Sequence, residues 1–166
     1  LRVEKELDGI CNEIIDEINV RLLPGIKNDD KEEETQEKVF YLKMQGDYYR
    51  YIAEYSEGEK KENAGNKALE VYSKAVELAE ADNGGLKTTH PIRLGLALNF
   101  SVFYYEVKND PQKACDLAKK AFDDAIADIE DIQEDYYRDS TTIMQLIRDN
   151  LTLWNSELND EEVEED

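Results

Sequence analysis

The chain is 166 residues long, with 20 Lys and Arg against 40 Asp and Glu, a formal net charge of −20 at pH 7. That length fits one domain, or part of one, with enough residues for a real core. A charge of this sign and size argues against nucleic acid or an anionic membrane surface as a partner, since both demand a basic footprint.

Hydrophobic residues make up 40% of the sequence and recur periodically, so the charge belongs to helix surfaces and a tail of a folded protein. Val3, Leu7, Ile10, Cys11, Ile14, Ile18 and Leu22 repeat at helical spacing, with no Ser, Thr, Asp or Asn cap before them. The sequence is therefore expected to begin inside a helix, and Leu1 is not expected to be a native start. Pro24 and Gly25 end that element, and a charged stretch from Lys27 to Glu34 leads into a second helix over Thr35 to Tyr55. Ser56 to Gly65 reads as a polar connection. A third helix over Asn66 to Ala81 buries Leu69, Tyr72, Ala75, Val76 and Leu78, and the loop after it is broken by Gly84, Gly85 and Pro91.

Pro91 opens a fourth helix to Val107, at a position where its missing amide proton costs nothing. Pro111 opens a fifth to Ile132, with Ala114, Leu117, Ala118, Ala121, Phe122, Ala125 and Ile129 on its apolar side. Asp139 or Ser140 caps a sixth to Trp154, and Asn155 to Asp166 reads as an acidic, disordered tail on a domain spanning residues 1–154. No segment reads as a strand, so the expected fold is an all-α antiparallel helical array. Cys11 and Cys115 fall in apolar helical patterns, as reduced buried thiols do, and no disulfide is expected. There is no signal-peptide pattern, and the most apolar stretch, Leu94 to Phe103, is too short and interrupted to span a bilayer; a cytoplasmic location is expected.

Within the second helix, Tyr41 to Tyr55 (YLKMQGDYYRYIAEY) places a cationic cluster on this acidic chain. Lys43, Asp47, Arg50, Tyr51 and Glu54 fall at i, i+4, i+7, i+8 and i+11 and share one polar face. A guanidinium forks onto two phosphate oxygens, a neighbouring phenol donates a third hydrogen bond and an ammonium adds a point charge, so the face suits an anion. Pairing of Arg50 with Asp47 or Glu54 on its own helix is the structural alternative. On the fourth helix Asn99, Val102 and Glu106 follow i, i+3, i+7, flanked by Leu98 and Phe103. On the sixth, Ile143, Leu146, Asn150 and Leu153 follow i, i+3, i+7, i+10. Each stripe sets an amide among aliphatics: either a helix–helix seam with a polar residue fixing register, or a groove wall whose amide meets an extended peptide backbone.

YLKMQGDYYRYIAE at Tyr41 to Glu54, THPIRLGLALNFSVFYYE at Thr89 to Glu106 and DSTTIMQLIRDNLTLW at Asp139 to Trp154 closely resemble 14-3-3 proteins, and the resemblance runs through nearly the whole chain. It implies a fold of nine antiparallel helices, about six of them present here, assembled as a homo- or heterodimer. Each subunit of such a dimer holds a phosphoserine or phosphothreonine peptide of a client protein in an amphipathic groove. Lys43, Arg50 and Tyr51 match the family's phosphate contacts. Asn99 and Asn150 match the amides that hold the peptide backbone, with Glu106 beside Asn99. Leu98, Val102, Ile143, Leu146 and Leu153 match the apolar wall, and Trp154 the tryptophan near the end of the last helix. The family's first three helices and the start of the fourth have no counterpart here. Most of the dimer interface is then missing, with Arg2 and Glu6 as surviving positions, the phosphate cradle is incomplete, and apolar surface is expected where the absent helices pack.

The leading expectation is thus an adaptor that holds phosphorylated clients, with no covalent chemistry, cofactor or metal. A phosphate of about −1.5 to −2 charges gains charge-assisted hydrogen bonds that an unphosphorylated serine does not. Asp160 to Asp166 would either be a solvated end or compete for that cluster. The alternative is a tetratricopeptide-like scaffold binding unphosphorylated partners: NKALEVYSKAVELAE at Asn66 to Glu80 has suitable spacing, but no second copy occurs at about 34 residues. An enzyme is the weakest class. His90, directly before Pro91, reads as a loop or cap residue, Asp123 and Asp124 read as solvated, and no nucleophile elbow or glycine-rich phosphate loop occurs.

Overall fold

The computed structural model describes residues 2–27 and 30–164; Leu1, Asn28, Asp29, Glu165, Asp166 and the side chain of Glu164 lie outside the described residues. The chain divides into two units, Leu1–Leu86 and Lys87–Asp166, all helical, with no strand among the described residues.

In the first unit, α1 (Arg2–Glu17) runs into a π-helical turn (Ile18–Leu22) and a last short turn, α2 (Leu23–Gly25). The Leu23 amide reaches back to the Ile18 carbonyl, so the widened turn lies just before Pro24, which has no amide proton for the ladder. α3 (Lys31–Tyr55) starts four residues before the expected Thr35, because the Asp30 side chain accepts from the Glu32 and Glu33 amides at 2.8 and 3.2 Å. Glu32, Glu33 and Glu34 then face the positive end of its dipole. α4 (Gly58–Ala79) also starts early, taking in most of the stretch read as a polar connection. Its added first turns contribute a buried Ala64, which extends the seam of Ala68, Tyr72, Ala75 and Ala79.

Side-chain pairs fix the directions. Asp8 meets Tyr55 and Asn19 meets Gln45, so α1 and α3 are antiparallel; Tyr49 meets Lys67 and Gly46 meets Tyr72, so α3 and α4 are antiparallel too. Cys11 and Ile15 form the buried side of α1, continued by Ile18 at the start of the π-helical turn, and α1 packs on α3. The opposite side, Val3, Leu7 and Ile10, is 66%, 41% and 54% exposed, an apolar stripe of the kind the resemblance leads one to expect. Arg2 and Glu6 pair with each other at 3.3 Å on the exposed surface.

The second unit holds α5 (Pro91–Glu106), α6 (Pro111–Ala127), a 3₁₀ turn (Ile129–Asp131) and α7 (Glu134–Glu164). Between α5 and α6, Asn109 takes the left-handed conformation, φ 50°, while the Lys108 and Asp110 amides reach back to Phe103 and Tyr104. α6 stops at Ala127, short of the expected Ile132, and the 3₁₀ turn intervenes. α7 is longer than expected at both ends. Residues 155–164, read as tail, continue the helix in this structure: Leu158 extends the inward line of Ile147, Leu151 and Trp154, and Glu157 accepts from the Tyr105 hydroxyl. Thr89 meets Ser140 and Tyr105 meets Trp154, so α5 and α7 are parallel. Phe100, Phe103 and Tyr104 form the aromatic heart of this unit. Cys11 and Cys115 are buried free thiols, one in each unit.

Candidate functional site

The polar face of α3 forms as its spacing predicts, and it is wired through Asp47. Lys43 Nζ donates to Asp47 Oδ2 at 3.0 Å. Arg50 lies 3.8 Å from Asp47 Oδ1 and donates to Glu54 at 3.0 Å, so its intrahelical pairing is real. Its guanidinium also sits 5.0 Å from the centroid of the Tyr51 ring. The fourth partner of Arg50 lies outside the helix. Tyr72 of α4, fully buried, donates its hydroxyl to Asp47 Oδ1 at 2.5 Å and accepts from Arg50 Nε at 3.3 Å.

Gly46 makes that reach possible. A Cβ there would come within 2.6 to 2.9 Å of the Tyr72 ring, so only glycine lets the ring lie against α3. The result is a pre-set guanidinium. Burial alone would lower the Arg50 pKa, but Tyr72, Asp47 and Glu54 outweigh it and hold the cation firmly protonated. Burial, helped by Asp47, pushes the Tyr72 hydroxyl up, and burial pushes Tyr51 up, so both phenols stay proton donors at neutral pH. Two cations and two carboxylates make the four-residue charge sum zero, against −20 for the chain. A neutral cluster on so acidic a chain adds no net repulsion of its own towards an anion.

The stripes of the second unit are arranged differently. The register that pairs Thr89 with Ser140 and Tyr105 with Trp154 sets Asn99 level with Asn150 on parallel helices. Leu98, Asn99, Val102, Ile143 and Asn150 are half-buried, Glu106 is exposed, and Leu146 and Leu153 are 48% and 55% exposed. Two leucines this open at i and i+7, with an amide between them, form an unfilled apolar strip. Trp154 is not on that strip: it is 3% exposed and stacks on Tyr105 at 4.9 Å. Beside Glu106 is a cavity of about 270 Å³ whose lining includes Tyr105, Asn109, Glu157 and Leu158.

Tyr72, Gly46 and Glu157 are the members that sequence reasoning leaves out. Tyr72 is visible there only as an apolar helix residue, since nothing in its spacing shows a hydroxyl crossing 25 positions to Asp47. No group of three or more His, Cys, Asp or Glu suited to a metal occurs among the described residues.

The family model described as 14-3-3 protein matches residues 1–155. The Arabidopsis thaliana 14-3-3-like protein GF14 epsilon is 54% identical over 160 residues, covering 96% of this chain and 59% of its own length. The Plasmodium falciparum 14-3-3 protein I is 52% identical over 164 residues, covering 99% of this chain and 59% of its own. The Eimeria tenella 14-3-3 protein is 53% identical over 161 residues, covering 97% of this chain and 55% of its own. The chain therefore spans less than two thirds of the length of these relatives.

Proposed function

The chain belongs to the 14-3-3 family, and from that premise we propose that it is a phosphoserine/phosphothreonine-binding adaptor that acts on client proteins in the cytoplasm by holding them. In this reading Arg50, Tyr51 and Lys43 take the client's phosphate, Asn99 and Asn150 take peptide backbone, and the strip of Leu146 and Leu153 takes apolar side chains. Arg2 and Glu6 belong to a dimer face. Proteins of this family bind partner proteins and form dimers; for this chain, both are proposed.

The observation that carries the reading is the Arg50 guanidinium, held from four sides by Asp47, Glu54, Tyr51 and Tyr72. A charge fixed in place loses little side-chain entropy when a phosphate arrives, so more of the charge-assisted bonding shows as affinity. The exchange is modest in stepwise terms: Lys43 turns from Asp47 towards the phosphate, while Arg50 keeps Glu54 and Tyr72 behind it. No helix among the described residues is long and apolar enough to cross a membrane.

The test is a fluorescence-anisotropy titration of a phosphoserine peptide and its unphosphorylated twin. It is run against the chain alone and against the chain joined to the part of a relative that lies outside the match. The joined protein binds the phosphorylated peptide selectively, and the chain alone binds it weakly or not at all. Equal binding of both peptides would instead favour the repeat-scaffold reading.

A further inference from the structure

His90 is the one histidine of the chain, and it sits where three elements of the second unit meet. Its side chain is buried, 4% exposed, and its Nδ1 accepts the Ile92 amide at 3.1 Å, capping α5. Its ring centroid lies 4.9 Å from that of Tyr136 in the first turn of α7. The two residues before it tie into the same place. The buried Ser140 hydroxyl of α7 donates to the Thr89 carbonyl at 2.6 Å, and Thr88 Oγ1 donates to Asp128 at the end of α6, also at 2.6 Å.

Only one protonation state fits this cap. Pro91 has no amide proton, so Ile92 presents the first amide of the helix, and it needs an acceptor. An imidazolium has none: its Nδ1–H would point at the Ile92 N–H. It would also set a cation at the positive end of the α5 dipole and bury a charge. Among the elements that meet here, α7 brings the Tyr136 ring onto the imidazole and carries Glu134 and Asp135 in the same first turn, the end of α6 brings Asp128, which accepts from Thr88, and α5 itself carries Arg93 in its first turn.

We propose that His90 is an acid-operated latch: one proton taken from solvent onto Nδ1 frees the Ile92 amide, opens the cap of α5 and loosens α7 from the Thr89 carbonyl. Burial pushes the imidazole below the ordinary histidine value of 6.5. The cap's contribution is therefore fully present above the unfolded value and is lost as pH falls through the lowered folded value.

The test compares wild type with His90→Asn, whose side-chain oxygen still caps but does not titrate. Urea unfolding is followed by Trp154 fluorescence from about pH 7.5 to about pH 5, the range in which histidine changes charge. The wild-type folding constant falls relative to the variant's by up to about tenfold per pH unit below the unfolded histidine value. Parallel pH dependences would overturn the latch. If the variant fails to fold, the single imidazole of the wild type is titrated by NMR while α5 amide protection is recorded. An inflection below 6.5 that coincides with loss of that protection supports the latch. An inflection at or above 6.5, or one that leaves α5 protected, overturns it.

Discussion

The polar face of α3 and the stripes of α5 and α7 are the two candidate binding surfaces of the chain, and they are built in opposite ways. On α3, every charged member is tied to another: Lys43 to Asp47, Arg50 to Asp47 and Glu54, and Tyr72 across the unit to both Asp47 and Arg50. On α7, Leu146 and Leu153 stand open to solvent around a half-buried Asn150. In the proposed reading, the difference matches what each ligand chemistry demands. A doubly charged group is captured by donors already aimed, which requires neighbours to hold them. An extended peptide is captured by apolar area and an amide, which requires that they be left uncovered.

If that contrast is right, substitutions in the two regions separate stability from binding. The largest effect belongs to Tyr72→Ala, which empties a fully buried site and costs about 3–5 kcal/mol in urea unfolding. Tyr72→Phe keeps the volume and removes only the hydroxyl that joins Asp47 to Arg50, costing about 1–2 kcal/mol. A cost for Tyr72→Phe within a few tenths of Tyr72→Ala would mean that the hydroxyl, not the ring, carries the site. Leu153→Ser should leave stability within about 0.5 kcal/mol, because the side chain is 55% exposed, while weakening phosphopeptide binding. A large loss of stability there would show that the strip is an internal seam.

The smallest effect sharpens the boundary of the second region. Glu157 holds the Tyr105 hydroxyl and pushes its pKa up to about 12. A raised value means that support is intact below the ordinary tyrosine range and is lost as pH rises through about 12. Tyr105→Phe removes it at any pH, and faster amide exchange is expected over residues 155–164 only, with the rest of α7 unchanged. Uniformly faster exchange along α7 would place its anchor elsewhere.

These contrasts are partly legible in the sequence. Helical period, the prolines at Pro91 and Pro111 and the spacing of Lys43, Asp47 and Arg50 reflect local geometry, and local geometry is what a linear pattern encodes. The early starts of α3 and α4 escape it because Glu- and Lys-rich turns with almost no apolar residues look like loops, although their helix propensity and the Asp30 cap favour helix. The extension of α7 escapes it because one half-buried leucine, Leu158, carries it within an acidic run. Tyr72 and Glu157 join partners 25 and 52 positions away, and no local pattern reports a tertiary hydrogen bond.

The central claim is that Arg50 recognises the phosphate itself, and the most direct measurement is a double-mutant cycle on the joined protein. Binding is measured for wild type and Arg50→Lys, each with the phosphorylated and unphosphorylated peptide, after circular dichroism shows both proteins folded. Lysine keeps the charge but loses the fork, so we expect about a 10- to 100-fold loss for the phosphorylated peptide. No further loss is expected for the unphosphorylated one, so the two changes are strongly non-additive. Equal losses for both peptides would make the effects additive, and would return Arg50 to the role of a structural partner of Asp47 and Glu54.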